Sequence, residues 1–341
     1  MSNEIKFNPV EKNLFMSLED ILIDEESPLY IQFSIENIEE AIKESGAHID
    51  GRLSDLLPNQ INYEEHTYIA LLSESTAVVN IFPKKKHASV YISTCGSPNP
   101  INSIEPFVYL FRPKTAKVRV FTSSSIDSAF KEYFTTNEEK FWQDFDNKRV
   151  PYYYKIQNKE REKNGIYFDL IDQRRIPSKP KEAILVENEI DVLISMYGVS
   201  KDALINYYEN FRKEERIEDI VANDLNKVTG LMYKSFPSLD PKEFLMGMSY
   251  ILKLEKGAFA MHVTPEQNYV SVYYSSFDDK IPYNLVNEVL DLFSPQYAET
   301  RIFSTTNLKD LDPKQINSNF SIRNLEDYKT EFYIDLLKRD D

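Results

Sequence analysis

Short runs of β-branched and aromatic residues, each bounded by turn chemistry, recur through both halves of this chain and restrict its fold more than any other feature. In the first half they are Thr67–Leu72, Ala77–Phe82, Ser89–Ser93 and Lys117–Phe121, with Ile104–Phe111 carrying apolar residues at helical spacing. In the second half Ala183–Ser195, Phe244–Leu254, Ala258–Val263, Tyr269–Ser275 and Arg301–Ser304 read as strands, and Glu255-Lys256-Gly257 as a hairpin turn. Helices are expected at Lys201–Phe211, with Leu204, Tyr207 and Tyr208 on one face, at Ile217–Val228, and at Leu325–Lys338. A further helix, Ile281–Phe293, sets Leu285, Val286, Val289, Leu290 and Phe293 on one side. Asn137–Asn147 reads as a polar helix or loop, the charged run Asn158–Asn164 as a solvated hairpin loop, and Pro177 and Pro180 mark another loop. Helices that follow hairpins, rather than alternating with single strands, predict an α+β fold. Its sheets are expected to be mainly antiparallel, each with helices on one face, and packed sheet to sheet. No composition break marks a linker, so the 341 residues are taken as one domain with two similar halves.

Composition removes several function classes. There are eight glycines and neither GxGxxG nor GxxxxGK[ST], which argues against glycine-built phosphate loops. A net charge of −15 repels phosphate backbones and suits cationic ligands, so no nucleic-acid partner is expected. The main basic exception, Lys84-Lys85-Lys86, follows Pro83 between two strands and reads as a solvated hairpin tip. One cysteine cannot form an internal disulfide, and the N-terminus has no signal-peptide pattern. No apolar run reaches the roughly 18 residues that span a bilayer. A cytoplasmic protein with no membrane partner is the expectation.

Four scattered places could carry chemistry. Ser75, in Leu72-Ser73-Glu74-Ser75-Thr76, reads by itself as part of a polar surface turn. In the sharper reading its hydroxyl attacks its own preceding carbonyl to form a backbone ester, and loss of the serine α-proton then breaks the chain. The dehydroalanine left behind hydrolyses to a pyruvoyl group. His262 is one of four histidines, with His48, His66 and His87. It lies inside a strand, either as a satisfied core residue or as the base for that α-proton. Ser249 stands across the expected hairpin from it. Cys95, in Thr94-Cys95-Gly96, is a small buried apolar residue or a proton donor or acceptor. HExxH, HxH, CxxC and GxSxG are all missing from the sequence, so neither a metal site nor an ordinary serine hydrolase is expected.

Tyr68–Val79, Thr94-Cys95-Gly96, His262–Glu266 with Tyr269-Val270-Ser271, and Ile281–Phe293 with Ser294-Pro295, in this order, resemble the eukaryotic-type S-adenosylmethionine decarboxylases. That resemblance implies a four-layer αββα sandwich and cleavage between Glu74 and Ser75 into chains 1–74 and 75–341. It also implies a pyruvoyl cofactor from Ser75 that forms a Schiff base with the substrate, S-adenosylmethionine. Decarboxylation then yields the aminopropyl donor for spermidine and spermine. Ser249 and His262 would assist processing, and Cys95 would return a proton. Glu11 matches a family acid, Glu266 would hold the ribose, and Phe7 would stack on adenine with Leu239 the nearest candidate opposite. Glu74, beside the cut, is placed at the substrate. Some members bind putrescine at buried acids. Here Glu187, Glu189 and Asp191 share a strand face and form either such a site or a solvated acidic edge. The cleaved chains are expected to stay associated, with a homodimer left open. Asn8 replaces the family's glutamate after Phe7, and Gly247-Met248-Ser249 differs from the family's approach to that serine. These departures motivate the alternative of an inactive paralogue that regulates an active decarboxylase.

Overall fold

A computed structural model describes residues 11–24, 27–56, 65–73, 75–123, 151, 153–162, 165–175, 189–211, 227–236, 247–277, 282–304, 312, 315–316, 319–327 and 331–339. The chain forms two compact units, Met1–Leu185 and Val186–Asp341. The first contains β1 (Glu11–Glu19), β2 (Ile49–Ser54), β3 (His66–Leu72), β4 (Ser75–Phe82), β5 (His87–Cys95), β6 (Thr115–Thr122), β7 (Tyr154–Glu162) and β8 (Gly165–Asp172). The second contains β9 (Ile190–Tyr197), β10 (Val228–Phe236), β11 (Gly247–Leu254), β12 (Gly257–Thr264), β13 (Tyr269–Ser276), β14 (Tyr297–Ser304), β15 (Phe320–Asp327) and β16 (Glu331–Lys338). Each set makes one antiparallel sheet. The spatial orders are β2-β3-β4-β5-β1-β6-β8-β7 and β10-β11-β12-β13-β9-β14-β16-β15. The second order is the first with eight added to every strand, so the two halves are one design used twice.

The repeat extends to local detail. After β4, the 3-10 turn Pro83–Lys85 ends on Lys86 at φ 51°; after β12, Pro265–Gln267 ends on Asn268, also at φ 51°. The Lys84–Lys86 run is therefore a hairpin tip, as expected. Helices cover one face of each sheet. After a short turn of helix, α1 (Leu29–Gln32), come α2 (Ile35–Lys43), capped by the Ser34 side chain, and α3 (Ile104–Phe111). They bury Ile38, Ile42, Phe107 and Phe111 against Leu14, Met16, Val79, Val90 and Ile92 of the sheet. In the second unit α4 (Lys201–Phe211) and α5 (Tyr283–Phe293) do the same, and all five apolar positions expected on α5 are buried. Leu204 and Tyr207 of α4 are buried too. Among the described residues no helix is long and apolar enough to cross a membrane.

Three expectations are corrected. Leu325–Lys338 is not a helix but parts of β15 and β16, paired as a hairpin at the sheet margin. Leu, Glu and Lys give it helical character, and pairing to β14 overrides that preference. The charged run at Asn158–Asn164 is largely strand: β7 continues to Glu162, bulged near Asn158. It forms the sheet edge, where charge guards against mispairing. Val228 opens β10 rather than closing a helix. Of the expected strand Ala183–Ser195, residues 190–195 lie in β9 and residues 183–188 are outside the described residues. Asn137–Asn147, Pro177 and Pro180 lie outside the described residues.

Candidate active site

Residues 73–74 join β3 to β4, and Leu72 pairs with Ser75, a two-residue hairpin. The Ser73 N–H donates to the His48 carbonyl at 2.9 Å. The β4–β5 pairing starts only at Ala77 opposite Ile92, so Ser75 and Thr76 lie beyond its end. There a cavity of about 120 Å³ opens, lined by Ser73, Ser75, Ser93, Thr94, Ser97 and Pro98, with Gly46–His48 as a further wall. Ser75 is 1% exposed and its Oγ makes no hydrogen bond. A buried hydroxyl left without a partner costs about 1–3 kcal/mol. Among the described residues other buried side-chain atoms share that state, Ser93 Oγ of the same cavity among them. What sets Ser75 apart is its place at the start of β4 beside the turn.

Alternation along the strands decides which groups share a face. Ser75 falls in step with Ala77, Val79 and Ile81 on the helix-covered side. Glu11 and Cys95, direct cross-strand neighbours on β1 and β5, fall on the other side. On that side the Tyr91 hydroxyl donates to Asn13 Oδ1 at 2.9 Å, and Asn13 Nδ2 donates to Ser123 Oγ at 3.1 Å. Burial, and then the nearby Glu11 charge, push the Tyr91 pKa well above its ordinary value, so it stays a donor. The half-buried Cys95 leads into a loop in which Gly96 has φ +67°. Lys12 ties this loop down, donating to the carbonyls of Gly96 at 2.6 Å and Pro98 at 3.2 Å. Sequence reasoning missed Asn13, Tyr91 and Ser123, and named Thr94 only as part of the Cys95 motif; strand alternation from Cys95 picks out Tyr91, but the others needed the register.

The second unit brings Ser249 and His262 together. They are register partners on β11 and β12, with Ser249 Oγ 2.7 Å from His262 Nδ1. Burial lowers the imidazole pKa to about 4, so the ring is neutral at neutral pH. Ser271 on β13 is its other register partner. The first unit carries the same row with asparagine in place of histidine. Thr67 Oγ1 donates to Asn80 Oδ1 at 3.0 Å, and Asn80 Nδ2 donates to Ser89 Oγ at 3.3 Å.

Glu266 is half-buried in the 3-10 turn after β12. Glu189 and Asp191 are buried, not a solvated acidic edge, and the Tyr273 hydroxyl donates to Asp191 at 2.5 Å. Phe7, Asn8, Glu74, Glu187 and Leu239 lie outside the described residues.

No curated protein sequence matches this chain. A solved structure described as the Trypanosoma brucei AdoMetDC-delta26 monomer resembles it at 12% identity. The match covers 74% of this chain and 96% of that one, with a TM-score of 0.48. The sequence model of the family described as adenosylmethionine decarboxylase matches residues 60–336, from before the Ser75 hairpin to within β16. With most of its length matched, the chain belongs to the adenosylmethionine decarboxylase family and is a carboxy-lyase.

Proposed function

We propose that this chain cuts itself before Ser75 and then decarboxylates S-adenosylmethionine. The observation that carries the reading is the Ser75 hydroxyl, buried without a partner at a cavity just past the end of the β4–β5 pairing. Attack by that hydroxyl on the carbonyl of residue 74 needs a free lone pair and room to move; the unpaired Ser75 Oγ and the cavity beside it support both. The chain would part into 1–74 and 75–341. His262, neutral at neutral pH and held at Nδ1 by Ser249, is proposed as the base that removes the α-proton of residue 75.

The pyruvoyl group so made supplies an electron sink for the electrons left when carbon dioxide departs. Every other task falls to the chain's own side chains. Cys95, half-buried beside Glu11, is proposed to return the proton. Tyr91, kept protonated, with Asn13 and Ser123, holds that face of the sheet in register. Ser75 and Cys95 begin on opposite faces, so the cut has a second role. Once freed from residue 74, residue 75 would be held on one side only, by its pairing to Leu72 of β3, and is proposed to turn toward Cys95. Glu266 is proposed for the ribose hydroxyls. Putrescine, if it acts here, would meet Glu189 and Asp191, with Tyr273 already serving one carboxylate. The product would be an aminopropyl donor for spermidine and spermine synthesis.

The test is denaturing electrophoresis of purified protein, with mass spectrometry of residue 75 and release of carbon dioxide from carboxyl-labelled substrate. Two chains and labelled gas are expected. A persistent single chain of 39.9 kDa with unmodified Ser75 would overturn the proposal.

A further inference from the structure

Counting two places past the Ala77–Ile92 pair sets Ser75 beside Thr94 on the neighbouring strand. Both residues are in step with the helix-covered face, both are 1% exposed, and both line the same cavity. Thr94 Oγ1 donates its proton to the Pro98 carbonyl at 3.3 Å, and that carbonyl is fixed in turn by Lys12. The Thr94 oxygen is thereby left as an acceptor, facing a cavity that also holds a serine hydroxyl with no acceptor.

We infer that Thr94 is a positioning residue for self-cleavage, resting on the function proposed above. In the structure the Ser75 Oγ is not bonded to it. A turn about the serine Cα–Cβ bond would let the Thr94 oxygen accept the Oγ–H, and that turn would aim a serine lone pair at the carbonyl carbon of residue 74. In the step itself the Oγ–C bond forms and the C–N bond between residues 74 and 75 breaks. The Oγ proton ends on the released amine, and no oxidant or water is consumed. A threonine hydroxyl is too weak a base to keep that proton. Thr94 therefore acts through orientation and retains its own proton on Pro98. The place of the gap supports the assignment: were the β4–β5 ladder continued to Ser75, backbone pairing would close the cavity that both hydroxyl-bearing residues line.

The experiment follows cleavage of freshly translated full-length chain in wild type, Thr94→Val and Thr94→Ser. Thr94→Val keeps the shape without the oxygen and is expected to slow cleavage about tenfold, the rate equivalent of one hydrogen bond. Thr94→Ser is expected to restore most of the rate. The uncut Thr94→Val chain should contain no hydroxylamine-sensitive ester, because it stalls before the acyl shift. Equal rates in Thr94→Val and wild type, equal slowing in both variants, or an ester accumulating in Thr94→Val would each overturn the inference. If Thr94→Val does not fold by circular dichroism, Thr94→Ala carries the same comparison against Thr94→Ser. A wild-type chain that never cuts itself sinks the self-processing proposal instead, and so is distinguishable from failure of this one.

Discussion

The hairpin β3–β4 and its counterpart β11–β12 are the same structure with opposite interiors. Each is a two-residue connection, with Leu72 paired to Ser75 in one and Leu254 to Gly257 in the other. Each turn is tied by the same bond, Ser73 N–H to the His48 carbonyl and Glu255 N–H to the Lys227 carbonyl, both at 2.9 Å. The difference begins one residue on. In the second unit the β12–β13 ladder runs fully to Gly257 opposite Ser276. Gly257 has φ +135°, and a Cβ there would overlap the Ser275 carbonyl oxygen. In the first unit the ladder stops two residues short, a side chain fits, and a cavity takes the place of backbone contact. A turn becomes a candidate for cutting, on this comparison, when its strand is released from its neighbour, not when the turn itself is unusual.

The strongest break of the comparison is Ser75→Ala. It should leave one uncut chain on denaturing gels and no carbon dioxide release, since the acyl shift runs through a five-membered ring that only the side chain of residue 75 can close. His262→Asn makes the second unit copy the Asn80 row of the first. It should fold, yet slow chain cleavage about a hundredfold to ten-thousandfold, with an ester that hydroxylamine cuts. The same variant tests a pH effect. Because burial depresses the His262 pKa from 6.5 to about 4, the unfolded chain binds that proton more tightly. Stability is full above pH 6.5 and falls as pH drops toward 4, by about 3 kcal/mol in all. Urea unfolding across that range should show the loss in wild type and a flatter profile in His262→Asn. Gly257→Ser places a serine in the closed hairpin. It should cost about 2–3 kcal/mol in thermal or urea unfolding and produce no cut before residue 257; a cut there would mean the gap is not required. Asn80→Ala, the smallest change, should cost about 1–2 kcal/mol through the lost hydrogen bonds while cleavage proceeds at the wild-type rate.

Much of this was legible from residue order. The α5 face was readable because five apolar residues recur at helical spacing, and the Glu255–Gly257 turn because glycine closes it. β1 was not singled out, although it lies inside its sheet. Glu-Lys-Asn-Leu-Phe-Met-Ser-Leu-Glu has no β-branched residue, and only pairing on both sides makes it a strand. The hairpin of β15 and β16 was hidden for a similar reason. At the site, Ser75, Cys95, Ser249 and His262 could be named from motif order, and the Ser249–His262 contact followed from hairpin arithmetic. That Ser75 and Cys95 lie on opposite faces could not be read, because one residue of register inverts a strand's faces. The role of Thr94 depended on the same register.

Cutting before Ser75 would assign β1, β2 and β3 to the short chain and β4 onward to the long one. β1 lies between β5 and β6 and is hydrogen-bonded to both, while β3 remains laced to β4. The short piece is thus a warp thread in cloth woven largely by the long piece. Its departure would unravel that sheet, so the two polypeptides of a cut chain would form a heterodimer whose dissociation constant is, in effect, the unfolding constant of the first unit.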